Sequence, residues 1–255
     1  MSVFGNYSNY YDLLYKDKDY SAEVDYILGL IKRYQPSTAS ILTLGCGTGK
    51  HEIELANKGL QVEGVDRSEE MIHIANENLQ KSGIPHTMLN FNLGDVRSVN
   101  LGKKFDSVIS LFHVASYQTS NEDLRQFVET AKKHLKKGGL FIFDVWHGPA
   151  VLTDKPLVRT KEVENESLLI IRDTQPVLRS EENVVEVNFI IKVSDKVRNT
   201  TQTLSECHRM RYLFKPELML LLKEAGLELI RSEKWMTAED PSFSSWYVTY
   251  IARMN

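Results

Sequence analysis

The short apolar run Ile41-Leu42-Thr43-Leu44 leads directly into Gly45-Cys46-Gly47-Thr48-Gly49, and a helical pattern begins at His51. No other feature restricts the fold as much. Glycine at alternate positions permits a very tight turn and lets a ligand come close to the backbone. The helix that follows presents unpaired N–H groups at its start, and these favour an anionic group. A strand, a glycine turn and a helix in that order form the first unit of an open parallel sheet. Ligands of such sheets bind beyond the carboxyl ends of the strands.

The alternation continues on both sides of this unit. The first eighteen residues are rich in Tyr and Asn and read as an irregular arm. Residues 21–34 form a helical pattern, with Val24, Ile27, Leu28 and Ile31 at i, i+3, i+4 and i+7, which Pro36 ends. A helix over 51–58 and a second strand over 61–65 follow, and Ser68 caps a helix that runs through Leu79. Third and fourth strands are expected at 86–91 and 105–111. An amphipathic helix at 121–136 ends on Gly138-Gly139, and a fifth strand covers 140–145. From about residue 158 to 214 the pattern alternates at period two over 167–172, 183–193 and 201–214, which predicts long antiparallel strands. A helix over 215–225, opened by Pro216 and closed by Gly226, precedes closing strands at 227–235 and 246–253.

The expected fold is α/β: a Rossmann-like, seven-stranded, mostly parallel sheet with helices on both faces. An antiparallel β insertion precedes the last helix and strand pair. A single domain over 1–255 is expected, with an N-terminal arm and helix (1–35), a cofactor-binding core (36–150), the insertion (151–214) and closing elements (215–255).

Two acidic residues extend the glycine loop into a cofactor site. Asp66 ends the second strand, where its carboxylate can accept from both ribose hydroxyls, and Asp95 in Gly94-Asp95-Val96 can accept from an adenine amino group. An NAD-dependent dehydrogenase is the main rival, but its fingerprint is Gly-x-Gly-x-x-Gly. Here the third glycine comes one residue early and Lys50 stands at the required position. S-adenosylmethionine, whose carboxylate would meet the glycine loop, fits better.

Leu44-Gly45-Cys46-Gly47-Thr48-Gly49, Gly64-Val65-Asp66-Arg67-Ser68-Glu69-Glu70-Met71 and Gly94-Asp95-Val96 resemble the first three motifs of the class I S-adenosylmethionine-dependent methyltransferases. Residues 105–109 and 135–140 resemble the motifs of the fourth and fifth strands. The resemblance implies that the glycine loop holds the methionine end of S-adenosyl-L-methionine, Asp66 the ribose, and Asp95 the adenine. The full cofactor set it implies is Tyr20, Gly45, Cys46, Gly47, Asp66, Arg67, Met71, Asp95, Val96 and Leu111.

The arm, Tyr10-Tyr11-Asp12-Leu13-Leu14-Tyr15 and Lys18-Asp19-Tyr20, is similar to signatures of the sugar N,N-dimethyltransferases that act on nucleotide-linked amino sugars. That similarity implies that the arm closes over the cofactor and brings Tyr11 to the reaction centre. His113, in the loop after the fourth strand, has an ionisation range suited to taking a proton from the acceptor. The related sugar enzymes place a histidine near Tyr117, so Tyr11, His113 and Tyr117 are the candidate catalytic residues. His147, after the fifth strand, and Arg209 and Arg211 in the insertion are candidate acceptor-binding residues, the arginines for a diphosphate. Direct displacement is the expected mechanism, since a sulfonium is a strong leaving group and the site must mainly hold a neutral amine in line. Methylation of another small metabolite at N or O, or cofactor binding without catalysis, are the alternatives.

Bulk properties set further limits. The formal net charge of −3 and the absence of an Asn-Pro-Pro-Tyr type motif after the fourth strand argue against nucleic acid as partner. No apolar run is long enough to span a membrane, and the N-terminal sequence lacks the pattern of a signal peptide. Cys46 and Cys207 form no metal-ligand cluster, so no metal site is expected. A reduced, cytoplasmic protein with a small-molecule acceptor is expected, with the insertion available as a homodimer surface.

Overall fold

The computed structural model describes residues 8–255. At its centre β1 (Ser40–Leu44) pairs in parallel with β2 (Gln61–Asp66) on one side and β4 (Phe105–Ser110) on the other. β3 (Leu89–Leu93) extends the sheet beyond β2, and β5 (Leu135–His147) lies beside β4. The closing strands reverse direction: β11 (Tyr247–Met254) runs antiparallel to β5, and β10 (Leu227–Lys234) antiparallel to β11. The resulting order, β3-β2-β1-β4-β5-β11-β10, is the expected Rossmann-like, mostly parallel sheet.

Two cores, one on each face, explain why its strands read as almost unbroken apolar runs. Leu42, Val108, Phe141 and Phe143 pack with Leu124, Phe127 and Val128 of α5 (Asn121–His134) and with Leu218 and Leu222 of α7 (Lys215–Glu224). Their sequence neighbours Ile41, Ile109 and Ile142 point the other way. They meet Val24, Ile27 and Ile31 of α2 (Tyr20–Tyr34), Leu55 of α3 (Lys50–Asn57) and Leu79 of α4 (Glu69–Ser82). Each side chain fully buried in this way contributes about 1.5–3 kcal/mol.

The insertion is a second, antiparallel ladder of β6 (Arg159–Glu164), β7 (Leu168–Arg179), β8 (Val184–Asp195) and β9 (Thr200–Leu213). The end of β9 joins β5 in parallel at Trp146–Tyr212 and His147–Leu213, so the ladder continues the central sheet past its carboxyl edge.

Several elements differ from the sequence reading. β6 has no period-two apolar signal of its own, because five of its six side chains are exposed or half-buried. β7 runs through Pro176, which a strand interior would exclude. β6 ends its pairing at Arg159–Thr174, so Pro176 lies where β7 is already an edge and needs no N–H donor on that side. α5 stops at His134, and Gly138-Gly139 form an irregularity within β5 where its register against β4 shifts. A short helix, α6 (Gly148–Thr153), follows β5.

The arm is not irregular over its described part. It forms α1 (Ser8–Leu14), whose Leu14 is 0% exposed against Val163, Ile170, Ile191 and Val193 of the insertion. That apolar partner is about 150 residues away in sequence, and local pattern carries no sign of it.

At the opposite edge of the sheet, Asp106 ties β4 to the start of β1. It accepts from the N–H groups of Ala39 and Ser40, from Ser40 Oγ at 2.7 Å and from Lys136 Nζ at 2.8 Å. Burial works to raise this carboxyl, but the donors outweigh it and hold it down at about 2. A carboxylate depressed in the folded state stabilises above its unfolded value and loses that contribution as pH falls through the folded one. Asp106→Asn is therefore expected to lose about 1–3 kcal/mol at neutral pH in urea denaturation. The gap to wild type should close between about pH 4 and pH 2.

Candidate functional site

A cavity of about 980 Å³ opens at the carboxyl ends of the parallel strands, between the glycine loop, α1 and the antiparallel ladder. Of the residues proposed from sequence, Tyr11, Tyr20, Gly45, Cys46, Gly47, Asp66, Arg67, Met71, Asp95, Val96, Leu111, His113, Tyr117 and Arg209 line it together.

The glycines serve different ends. At Gly45 (φ +85°) an added Cβ would lie 2.5 Å from a methyl of Val114, and at Gly49 (φ +79°) 2.4 Å from the Phe91 ring, so both are fixed by packing. At Gly47 (φ +55°) a Cβ would meet only open space, which leaves this stretch of backbone accessible to a ligand. Its N–H donates to Asp66 Oδ2 at 2.9 Å, and Ser68 N–H donates to Asp66 Oδ1 at 3.0 Å. Each carboxylate oxygen keeps further acceptor capacity, which matches a pair of ribose hydroxyls. Burial raises the Asp66 pKa despite these donors.

Asp95 faces the cavity with its carboxylate forked onto Arg97, Nε to Oδ1 at 2.9 Å and Nη2 to Oδ2 at 2.5 Å, and Arg97 reaches on to Asp123. The hydrogen bonds from Arg97 hold the Asp95 pKa below its usual range. Tyr20 packs edge-on against His51, with Lys18 and Lys50 over its ring. α1 latches onto the glycine loop through Asp12, which accepts from Thr48 Oγ1 at 2.9 Å and pairs with Lys50 at 3.1 Å. The loop backbone, Asp66, Asp95 and Val96 thus line one cavity together, as the sequence reading expected of a cofactor site.

The loop after β4, also in the cavity wall, carries two successive left-handed residues, Phe112 (φ 62°) and His113 (φ 66°). Such conformations cost roughly 1–3 kcal/mol each outside glycine and persist only when the surroundings enforce them. Asp144, 1% exposed in β5, does so: both its oxygens accept from the His113 N–H, at 3.1 and 3.2 Å. It also sits 2.5 Å from His113 Nδ1, at ion-pair distance but off the line of a well-formed hydrogen bond. Tyr247 stacks on the imidazole at 4.4 Å. Phe112 meets the rings of Tyr11 and Tyr15 edge-on, so aromatic faces line the reaction side of the cavity.

Tyr117 donates to, or accepts from, His208 Nδ1 at 2.7 Å, and His208 Nε2 lies 3.0 Å from Glu206. Burial raises the Tyr117 pKa far above that of a free phenol.

Two expectations are corrected. His147 is buried away from the cavity, its Nδ1 against the carbonyl of Ser245, and burial lowers its pKa. Arg211 is likewise internal, bonded to Glu217 at 2.9 Å and Asn121 at 2.8 Å. The strand alternation that would pair it with Arg209 fails as a guide because β9 leaves the exposed ladder there and enters the core between α5 and α7. Arg209 remains in the cavity wall, paired with Glu182.

Sequence reasoning gave no role to Tyr15, Arg159, Lys161, Arg172 and His208, which line the cavity, or to Asp144 behind His113. Only Asp144 left a readable sign, a lone acid inside the apolar run Leu140-Phe141-Ile142-Phe143-Asp144-Val145.

Asp66→Ala is expected to weaken S-adenosylmethionine binding by about 10- to 100-fold in calorimetry. Because burial raises its pKa, affinity in the wild type should begin to fall, on acidification, at a pH above the ordinary carboxylate range. Asp144→Ala should leave that affinity intact while lowering turnover by about tenfold or more, as the strained loop relaxes.

Residues 41–139 match the family described as "Methyltransferase domain". Over 227 residues the chain is 27% identical to the dTDP-3-amino-3,4,6-trideoxy-alpha-D-glucopyranose N,N-dimethyltransferase of Streptomyces venezuelae, covering 88% of this chain and 91% of that protein. Among solved structures, Streptomyces venezuelae DesVI superposes with a TM-score of 0.81 at 24% identity over 98% of both chains. An S-adenosylmethionine-dependent methyltransferase from Clostridium acetobutylicum gives the same TM-score at 21% identity over 96% of both. With its glycine loop, strand-end aspartates and strand order, the chain carries a methyltransferase domain over residues 41–139 on the Rossmann-like fold of the S-adenosylmethionine-dependent methyltransferases.

Proposed function

We propose that the enzyme methylates the amine of a nucleotide-linked amino sugar by direct displacement. The observation that carries this reading is the composition of the cavity wall supplied by the insertion. In a chain of net charge −3, Arg159, Lys161, Arg172 and Arg209 converge on one cavity. Arg159 has no ion-pair partner among the described residues, whereas Lys161 Nζ donates to the carbonyl of Leu14 and Arg172 Nη1 to the Tyr15 hydroxyl. A basic rim beside an aromatic reaction chamber suits an acceptor with a diphosphate at one end and an amine at the other. The Streptomyces venezuelae relative, named for a dTDP-linked amino sugar, supports the same class of acceptor.

S-adenosylmethionine supplies an activated methyl group on a sulfonium leaving group. The protein's share is placement. Asp66 and the glycine loop fix one end of the chamber, while Tyr11, Tyr15 and Phe112 line it with aromatic rings, Phe112 with Lys18 and Tyr15 with Lys161 and Arg172 close to their faces. His113, braced by Asp144 and Tyr247, orients the acceptor. α1 and the ladder flank this chamber, so the chain acts as one functional unit, with residues 151–214 as its acceptor wall.

A small molecule, rather than nucleic acid, is the partner this wall fits. Cytoplasmic action agrees with two free cysteines, and no helix among the described residues is long and apolar enough to cross a membrane. β6 ends the ladder with one unpaired edge, a surface for a homodimer.

Incubation of the enzyme and S-adenosylmethionine with nucleotide-linked amino sugars should give successive methyl mass increments on the conjugate. Failure with every such conjugate, alongside methylation of an unrelated metabolite, would contradict the proposal. Replacing Arg159 and Lys161 together by Ala should raise KM for the conjugate by about tenfold with kcat little changed, as expected when uniform binding is lost.

A further inference from the structure

An amino sugar reaches its enzyme mainly as an ammonium ion near neutral pH, and an ammonium has no lone pair with which to attack a methyl group. A group at the reaction centre that accepts this proton would let the abundant ammonium form be used directly. Tyr117 and His208 both line the cavity, and His208, 3% exposed, is bracketed by the Tyr117 hydroxyl at Nδ1 and the Glu206 carboxylate at Nε2. Phe189 covers the imidazole with ring centroids 4.9 Å apart. We propose that Tyr117, His208 and Glu206 form a proton relay that takes the ammonium proton from the acceptor.

The step balances as follows. The acceptor N–H bond breaks and its proton bonds to Tyr117 Oη. The original Oη–H bond breaks in the same movement, and that proton bonds to His208 Nδ1. Tyrosine ends as it began, the amine is neutral, and the positive charge rests on an imidazolium facing Glu206 until it exchanges with water. Tyr117 cannot hold the charge change itself, because burial disfavours its phenolate. His208 and Glu206 therefore act through Tyr117, and Glu206 at Nε2 favours the tautomer whose Nδ1 accepts from the Tyr117 hydroxyl. Among the described residues, the ionisable groups facing the pair include Glu206 on the same strand, Arg172 of β7 across Phe189, and Tyr15, Arg67 and Asp66 around the Tyr117 hydroxyl.

The relay rests on the proposed amine acceptor, and two readouts separate them. The first needs no acceptor: nitrogen NMR of the His208 imidazole in the full chain with S-adenosylhomocysteine. A neutral ring at neutral pH, protonated at Nε2 and bare at Nδ1, is expected. Tyr117→Phe should shift the Nδ1 resonance. An imidazolium throughout the range from about pH 6 to pH 9 would overturn the relay.

The second is the pH profile of kcat/KM. Tyr117→Phe and His208→Gln should lower it about 10- to 100-fold below the acceptor's own amine pKa. The gap should close at higher pH, where the amine is already neutral, and Glu206→Gln should show a smaller loss of the same sign. A loss that is flat across pH in all three variants would reduce these residues to a structural role. Wild-type enzyme inactive on every amino sugar would sink the acceptor assignment, and the NMR result would then decide the relay alone.

Discussion

The Asp66 carboxylate holds the site together. It binds the N–H of Gly47 in the turn after β1 and that of Ser68 at the start of α4, so the two crossovers meet at one buried charge. The parallel pairing of β1 with β2 brings those turns side by side, and Gly45, Gly49 and Gly64 let Val114, Phe91 and Cys46 close in behind them. Burying a carboxylate is unfavourable unless donors surround it. Here fixed backbone donors meet part of its demand, and the residual capacity faces the cavity. The group whose ionisation burial disfavours is thus the one that keeps acceptor capacity towards the cavity.

The acceptor side is built differently, from parts remote in sequence. α1 comes from the N-terminal arm, His113 and Tyr117 from the turn after β4, Asp144 from β5, and the basic rim from the ladder. These parts are joined by a few specific contacts: Asp12 to Thr48, Leu14 to the ladder core, Asp144 to His113, and Tyr117 to His208. In the proposed division the sheet fixes the cofactor half, and the insertion supplies the wall that would meet the acceptor.

Legibility in the sequence followed the same division. Helix caps such as Ser68 act within a few residues of themselves, and the glycine turn and strand-end acids sit at fixed places in the strand–turn–helix units, so their pattern reveals their role. All the cofactor residues read from sequence line the cavity for this reason. Arg211 and His147 misled, because whether a strand residue faces a cavity or a core depends on the partner that covers it. For Arg211 that partner is Glu217 on α7, and for His147 the carbonyl of Ser245. The helical arm escaped notice on the same ground, since the apolar surface that stabilises it lies in β6 to β8. Asp144 was visible as an isolated acid in an apolar strand, but its task, bracing a left-handed histidine backbone, belongs to tertiary structure alone.

The central claim is that one chamber joins a cofactor site to a wall made for a nucleotide-linked amine. Calorimetric titration of protein saturated with S-adenosylhomocysteine tests it most directly, using a nucleotide-linked amino sugar, the free amino sugar and the nucleoside diphosphate in turn. The conjugate should bind well over an order of magnitude more tightly than either half, because both ends of the chamber are then engaged at once. Equal affinity for the free sugar and the conjugate, or no binding of the conjugate, would contradict the account.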